Sequence, residues 1–194
     1  MHLITPESDF ESAMLRSQAL RDGLIWRIPR RSGAQEHVFE HVQVILGRIE
    51  INRRFFSEFE YRVLRFLAIV HDSFKYQVDP DQPKVGENNH AWLAAAFAEQ
   101  YAYEFTIRKD NILAMIINHD EAYNTRKTFL MNVVAAKVRL GELLSQPIGN
   151  WELLLAFSMM NGSHYTRLDN AFWFESVLIE HQLIETRLSQ ILTL

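Results

Sequence analysis

No cysteine occurs among the 194 residues. Disulfides, thiolate metal sites and cysteine nucleophiles are therefore excluded, and any metal must be held by histidine and carboxylate. Glycine and proline are scarce, seven and five residues, which favours long helices over many short strands. There is no excess of positive charge either: the formal net charge is -4, so no basic footprint for duplex nucleic acid is present. No apolar run approaches the length of a membrane span, and the opening MHLITPESDFE is polar and acidic, unlike a signal peptide. These absences predict a cytoplasmic protein with no membrane and no duplex nucleic acid as partners. What the chain does have is 48% hydrophobic residues, enough for one core and one domain over residues 1–194.

The helical signals come in order. Ser8-Asp9-Phe10-Glu11 has the form of a capping box and predicts a first helix over 8–22. A break at Ile28-Pro29 through Gly33 leads to a second helix over about 35–51, striped by Val38, Val42, Ile45 and Ile49. Ser57-Glu58-Phe59-Glu60 opens a third, the most apolar of the first half, which ends in the adjacent pair His71-Asp72. Residues 78–87 read as a loop, and Asn88 or Asn89 caps a fourth helix with His90 in its first turn. Asp110 is expected to cap a fifth, which also stops at a His-Asp pair, His119-Asp120. A sixth helix is predicted over 126–145, interrupted near Gly141, a seventh over 151–160 behind Asn150, and a last over about 168–192. No strand alternation, repeat or linker is evident. The expectation is an all-α bundle of seven to eight helices, with a core over about 36–169 and the first and last helices packed on it. The apolar stripe of the last helix is expected to serve as core or as the surface of a homodimer.

A lone His-Asp pair is more often a buried hydrogen bond than a metal site. Here the histidines form a series: His37 and His41 four apart on one helical face, His71-Asp72 and His119-Asp120 at two helix ends, His90 at a helix start. Helix ends and one inward face can converge on a single pocket of a bundle, where such folds build metal sites.

That ordered set resembles the HD superfamily of metal-dependent phosphohydrolases. Ile69-Val70-His71-Asp72-Ser73-Phe74-Lys75 is similar to the family's apolar-apolar-His-Asp-x-x-Lys, the thirty-residue interval from His41 to His71 and the segment Gly86-x-x-x-His90 also fit, and Ile116-Ile117-Asn118-His119-Asp120-Glu121 is similar to its Ile-x-x-His-His-Glu. The resemblance implies that His41, His71 and Asp72 ligate a first divalent metal, with His37 in reserve. It implies that His90 and His119 form a second site or meet substrate phosphate. The family's closing aspartate has Asn161-Gly162 near its place, with Asp169 the nearest acidic alternative. Mn, Mg, Co, Ni, Fe and Zn are all compatible with these ligands, one or two ions per chain.

Metal-activated water would attack a small phosphorylated substrate, plausibly a nucleotide. Asp72 and Lys75 would belong to the catalytic group, Lys75 meeting phosphate, with Arg126 or Arg167 assisting. Asp120, Glu121 and Glu87 are the candidates for orienting or deprotonating the water. Lys75-Tyr76 and Ala122-Tyr123-Asn124 lack the marks of guanosine-tetraphosphate hydrolases and of cyclic-dinucleotide phosphodiesterases. Three alternatives stay open: a di-iron oxygenase using the same ligands, a non-catalytic nucleotide-binding or regulatory domain, and a zinc protease based on His37-Val38-Phe39-Glu40-His41, an H-x-x-E-H motif.

Overall fold

The computed structural model describes residues 3–28, 36–163 and 168–194. Ten α-helices stand among them: α1 (Asp9–Leu15), α2 (Gln18–Ile25), α3 (Val38–Ile51), α4 (Glu58–Val70), α5 (His90–Glu99), α6 (Lys109–Ile117), α7 (Glu121–Met131), α8 (Val133–Leu144), α9 (Trp151–Ser163) and α10 (Leu168–Glu180). The only sheet among the described residues pairs β1 (Arg27–Ile28) antiparallel with β2 (Glu36–His37). The all-α expectation holds, with ten helices rather than seven or eight.

The extra two come from breaks inside segments predicted to be continuous. Ser17 adopts extended backbone and divides the first into α1 and α2. Asn132 does the same between α7 and α8, at φ -155° and ψ 103°, and its side chain accepts from the Ala135 N–H to cap α8. Asparagine caps helices because its short side chain competes for backbone N–H groups. Gly141, the predicted interruption, instead lies inside α8. Asn161-Gly162 does not stop α9 at 160, since the helix runs on to Ser163. Asp110 sits in the first turn of α6 and does not cap it. The last helix ends at Glu180, where Gln182 turns the chain at positive φ.

The capping box at Ser57 is present with both halves: Ser57 Oγ accepts from Glu60 N–H and Glu60 accepts from Ser57 N–H. From it α4 runs through the centre of the molecule, packed by α3, α5, α6 and α9, and every residue from Val63 to Val70 is buried. Arg65 is the one charge in that run. Its guanidinium is met by Glu11 in two hydrogen bonds of 2.7 and 2.8 Å and by Glu7 at 2.7 Å, which locks α1 onto α4. A contiguous buried cluster extends from Ile4 to Leu192. No helix among the described residues is long and apolar enough to cross a membrane.

Candidate metal centre

His71 is the residue at which α4 ends, and His119 follows the last turn of α6. Each ring is fixed the same way: Nδ1 bonds the carbonyl three residues back, His71 to Ala68 at 3.0 Å and His119 to Ile116 at 2.7 Å. Because a carbonyl can only accept, Nδ1 carries the proton and Nε2 is the inward atom. His41 projects fully buried from α3, and His90 opens α5, whose N-cap Asn89 accepts from the Ala91 N–H. The C-terminal ends of α4 and α6 add partial negative charge to the place where these rings meet, which favours a cation.

Asp72 is the hub. Its Oδ2 lies 3.9 Å from His41 Nε2 and 3.6 Å from His71 Nε2, while its Oδ1 lies 3.5 Å from His90 Nε2 and 3.6 Å from His119 Nε2. Two triads result, His41/His71/Asp72 and Asp72/His90/His119, each with its donor atoms within 4.8 Å of one another. Asp120 Oδ2 stands 3.6 Å from both His90 Nε2 and His119 Nε2, and those two nitrogens are 3.4 Å apart. Donors about 2.1 Å from a tetrahedral ion are separated by about 3.4 Å, so the Asp72, His90 and His119 atoms nearly have the spacing of one ion's ligands, while Asp120 approaches the two histidines without joining that triad.

His71 Nε2 is buried with no hydrogen-bond partner among the described residues. A buried imidazole nitrogen left so is costly unless a ligand takes its lone pair. The donor set therefore fits a divalent ion, and the buried His/Asp group can hold one. Burial pushes the His71 imidazole down to about 3 and, with His119 nearby, the His90 imidazole to about 4. Both are thus neutral at neutral pH, the form in which an imidazole can bind a metal. At His119 burial opposes the charged ring, but the carboxylates of Asp120 and Asp72 outweigh it and hold the ring above its ordinary value. Burial likewise opposes charge on Asp72, yet Lys75, His71 and His119 keep its carboxyl well below the usual range. Asp120 is lowered too, by His119 and Lys75 against the burial cost.

Over this centre opens a cleft of about 670 Å³, a volume ordinary for a small-molecule site. His90 and Asp120 belong to its lining, Lys75, Lys84 and Arg139 supply its cations, and Trp26 and Ile28 are among its apolar residues. Lys75 Nζ is 2.5 Å from Asp72 Oδ2. Glu121 is clamped by Arg139 through both carboxylate oxygens and also receives the Thr125 hydroxyl, so it holds a cation in place and is not a free base. Asn161 lines a small cavity of about 30 Å³ together with His119, Asp120 and Ser158.

Several candidates stand elsewhere. His37 bonds the Ile25 carbonyl through Nδ1 at 2.6 Å, and its backbone N–H is capped by the exposed Glu40. Among the described residues His41 groups with His71 and Asp72, and no metal-capable group includes His37, so the H-x-x-E-H reading finds no support in the geometry. Asp169 is exposed in the first turn of α10 and belongs to neither triad. Glu87 is exposed on its loop, Arg126 is bonded to Asn170 at 3.1 Å, and Arg167 lies outside the described residues. Trp26, Lys84 and Arg139, which sequence reasoning missed, reach the cleft from β1's edge, a loop and α8. No local spacing announces them. Comparison with protein-family models, with curated proteins and with solved structures finds no match to this chain.

Proposed function

We propose that the protein is a divalent-metal-dependent phosphohydrolase acting on a small phosphorylated molecule, for which a nucleotide is the working candidate. The observation that carries this reading is the sharing of Asp72 between two histidine pairs, Oδ2 toward His41 and His71 and Oδ1 toward His90 and His119, beneath a cleft with three cations. It agrees with the HD-type order of histidines and aspartates in the sequence.

His41, His71 and Asp72 would hold one ion, and Asp72, His90 and His119 a second. A bound divalent ion supplies a Lewis acid for phosphate oxygen and lowers the pKa of its water into the neutral range. The chain's own residues do the remainder by position and charge. Lys75, 30% exposed and reaching into the cleft, neutralises a phosphate oxygen. Asp120, ionised and facing open space, accepts a proton from water. Arg139, oriented by Glu121, offers its remaining N–H donors to a second oxygen. Trp26 and Ile28 give the organic part of the substrate an apolar surface.

The same nitrogen and carboxylate donors suit iron, so a di-iron oxygenase is the second reading. The cleft cations Lys75, Lys84 and Arg139 favour phosphate over a neutral substrate. The test is a phosphate-release screen on chelator-stripped protein resupplied with manganese, cobalt or magnesium. Metal-dependent release from at least one phosphoester supports the proposal. Absence of release across a broad panel, or oxygen-dependent turnover with iron alone, defeats it.

A further inference from the structure

A second cavity, of about 240 Å³, lies between α4, α6 and the start of α9, and it shares no lining residue with the cleft over the metal centre. Its inner wall includes Val63, Ile112, Met115 and Leu153, all almost fully buried. Its mouth is different. Arg108 stands there with its guanidinium 5.3 Å over the Phe59 ring, and unlike Arg65 and Arg139 it has no carboxylate partner among the described residues.

The adjoining amide wall is shaped by a glycine. Gly149 has φ +69°, and an added Cβ would sit 2.1 Å from Asn111 Nδ2, so only a residue without a side chain lets the Asn111 carboxamide stand at this rim. Asn150, the other amide of the lining, is already committed: its Oδ1 caps α9 at Leu153 N–H, and its Nδ2 donates to Glu60 at 3.3 Å.

We infer that this cavity is a binding site for a small amphipathic carboxylate, its apolar body against Val63, Ile112, Met115 and Leu153 and its carboxylate on Arg108 and Asn111. One guanidinium beside a neutral amide matches one negative charge; a phosphate dianion would leave charge uncompensated above an apolar floor. The volume falls below the usual range for drug-sized ligands, which restricts the occupant to a molecule not much larger than benzene. Met115 lies in α6, four residues before His119, which follows that helix, so the occupant abuts the helix that leads to the candidate metal centre.

The test is calorimetric titration of the full chain with butanoate, hexanoate and benzoate, and with hexanol and hexylamine as matched uncharged and cationic probes. Arg108 is exposed, so Arg108→Met tests the charge without disturbing the core. Saturable binding of a carboxylate, at least about tenfold tighter than hexanol and weakened about tenfold by Arg108→Met, is the expected result. No saturable carboxylate binding, equal binding of hexanol, or unchanged affinity in Arg108→Met overturns the inference, whatever the phosphate-release screen gives.

Discussion

Lys75 Nζ rests 2.5 Å from Asp72 Oδ2, the oxygen that also faces His41 and His71, while Oδ1 of the same carboxylate is left to His90 and His119. Lysine and a metal in the first triad would therefore compete for one oxygen. With that oxygen given to a metal, the Lys75 ammonium would turn toward the cleft, where on the proposed function it would meet substrate phosphate. Lys75→Met is expected to keep or raise metal affinity while lowering kcat/KM by about 10²-fold, the scale for removing one charged donor from a transition state. Elemental analysis and phosphate-release kinetics on the variant check both halves.

Stability of the metal-free protein should fall with acid. His71 and His90 are held neutral in the fold, down to about 3 and 4, whereas in the unfolded chain they take up protons near 6.5. The unfolded state thus binds more protons through the window from about 6.5 down to 4, and stability drops as pH falls across it. Asp72 and Asp120, lowered in the fold, add a loss in the same direction as pH falls further, from the ordinary carboxylate range through their folded values. His119, raised, works oppositely: its contribution is complete below the ordinary histidine value and disappears as pH rises through its folded value. With two depressed histidines against one raised, the urea midpoint is expected to be lower at pH 5 than at pH 7. A midpoint that rises on acidification would contradict this balance.

Gly23 packs against the backbone beside the hub. A Cβ added there would lie 1.6 Å from the Ser73 carbonyl oxygen, and backbone on both sides leaves nothing flexible to yield. Gly23→Ala is expected to cost at least about 1–3 kcal/mol, the ordinary penalty of overpacking, and to weaken metal binding because Ser73 follows Asp72. Denaturant unfolding and metal titration of the variant measure the two effects.

The Arg65–Glu11 pair predicts the reverse separation. Glu11→Ala leaves a buried guanidinium with only part of its partners, expected to cost about 3–5 kcal/mol. The pair lies toward the N-terminal side of α4 from His71, so metal content per folded chain should be unchanged. Equal losses of stability and metal would show that the network also supports the site.

The parts of the centre that the sequence exposes are those tied to helix boundaries. His71-Asp72 and His119-Asp120 stand where apolar runs stop, and His90 stands beside a capping asparagine, so their positions follow from local pattern. His37 was ambiguous because spacing of four places it on the same face as His41 only if the helix already includes it. The chain instead makes it the residue before α3, bonded to Ile25 across the small hairpin. The extra breaks at Ser17 and Asn132 replace two predicted continuous helices, and Asn132 is a cap residue that could have been read as one. Trp26, Lys84 and Arg139 were beyond reach, since only tertiary packing brings a strand edge, a loop and α8 to one cleft. Asp169 was nearest to Asn161 in acidic type and sequence but faces solvent, while Asn161 lines the cavity beside His119 and Asp120.

The account turns on Asp72 serving both triads, and metal content per chain in wild type, Asp72→Asn and His90→Ala tests that most directly. Elemental analysis after manganese or zinc loading is predicted to find metal in the wild type, a partial loss in His90→Ala, and loss of nearly all of it in Asp72→Asn. Wild-type protein that retains no metal, or Asp72→Asn protein that retains all of it, would contradict the shared-carboxylate centre.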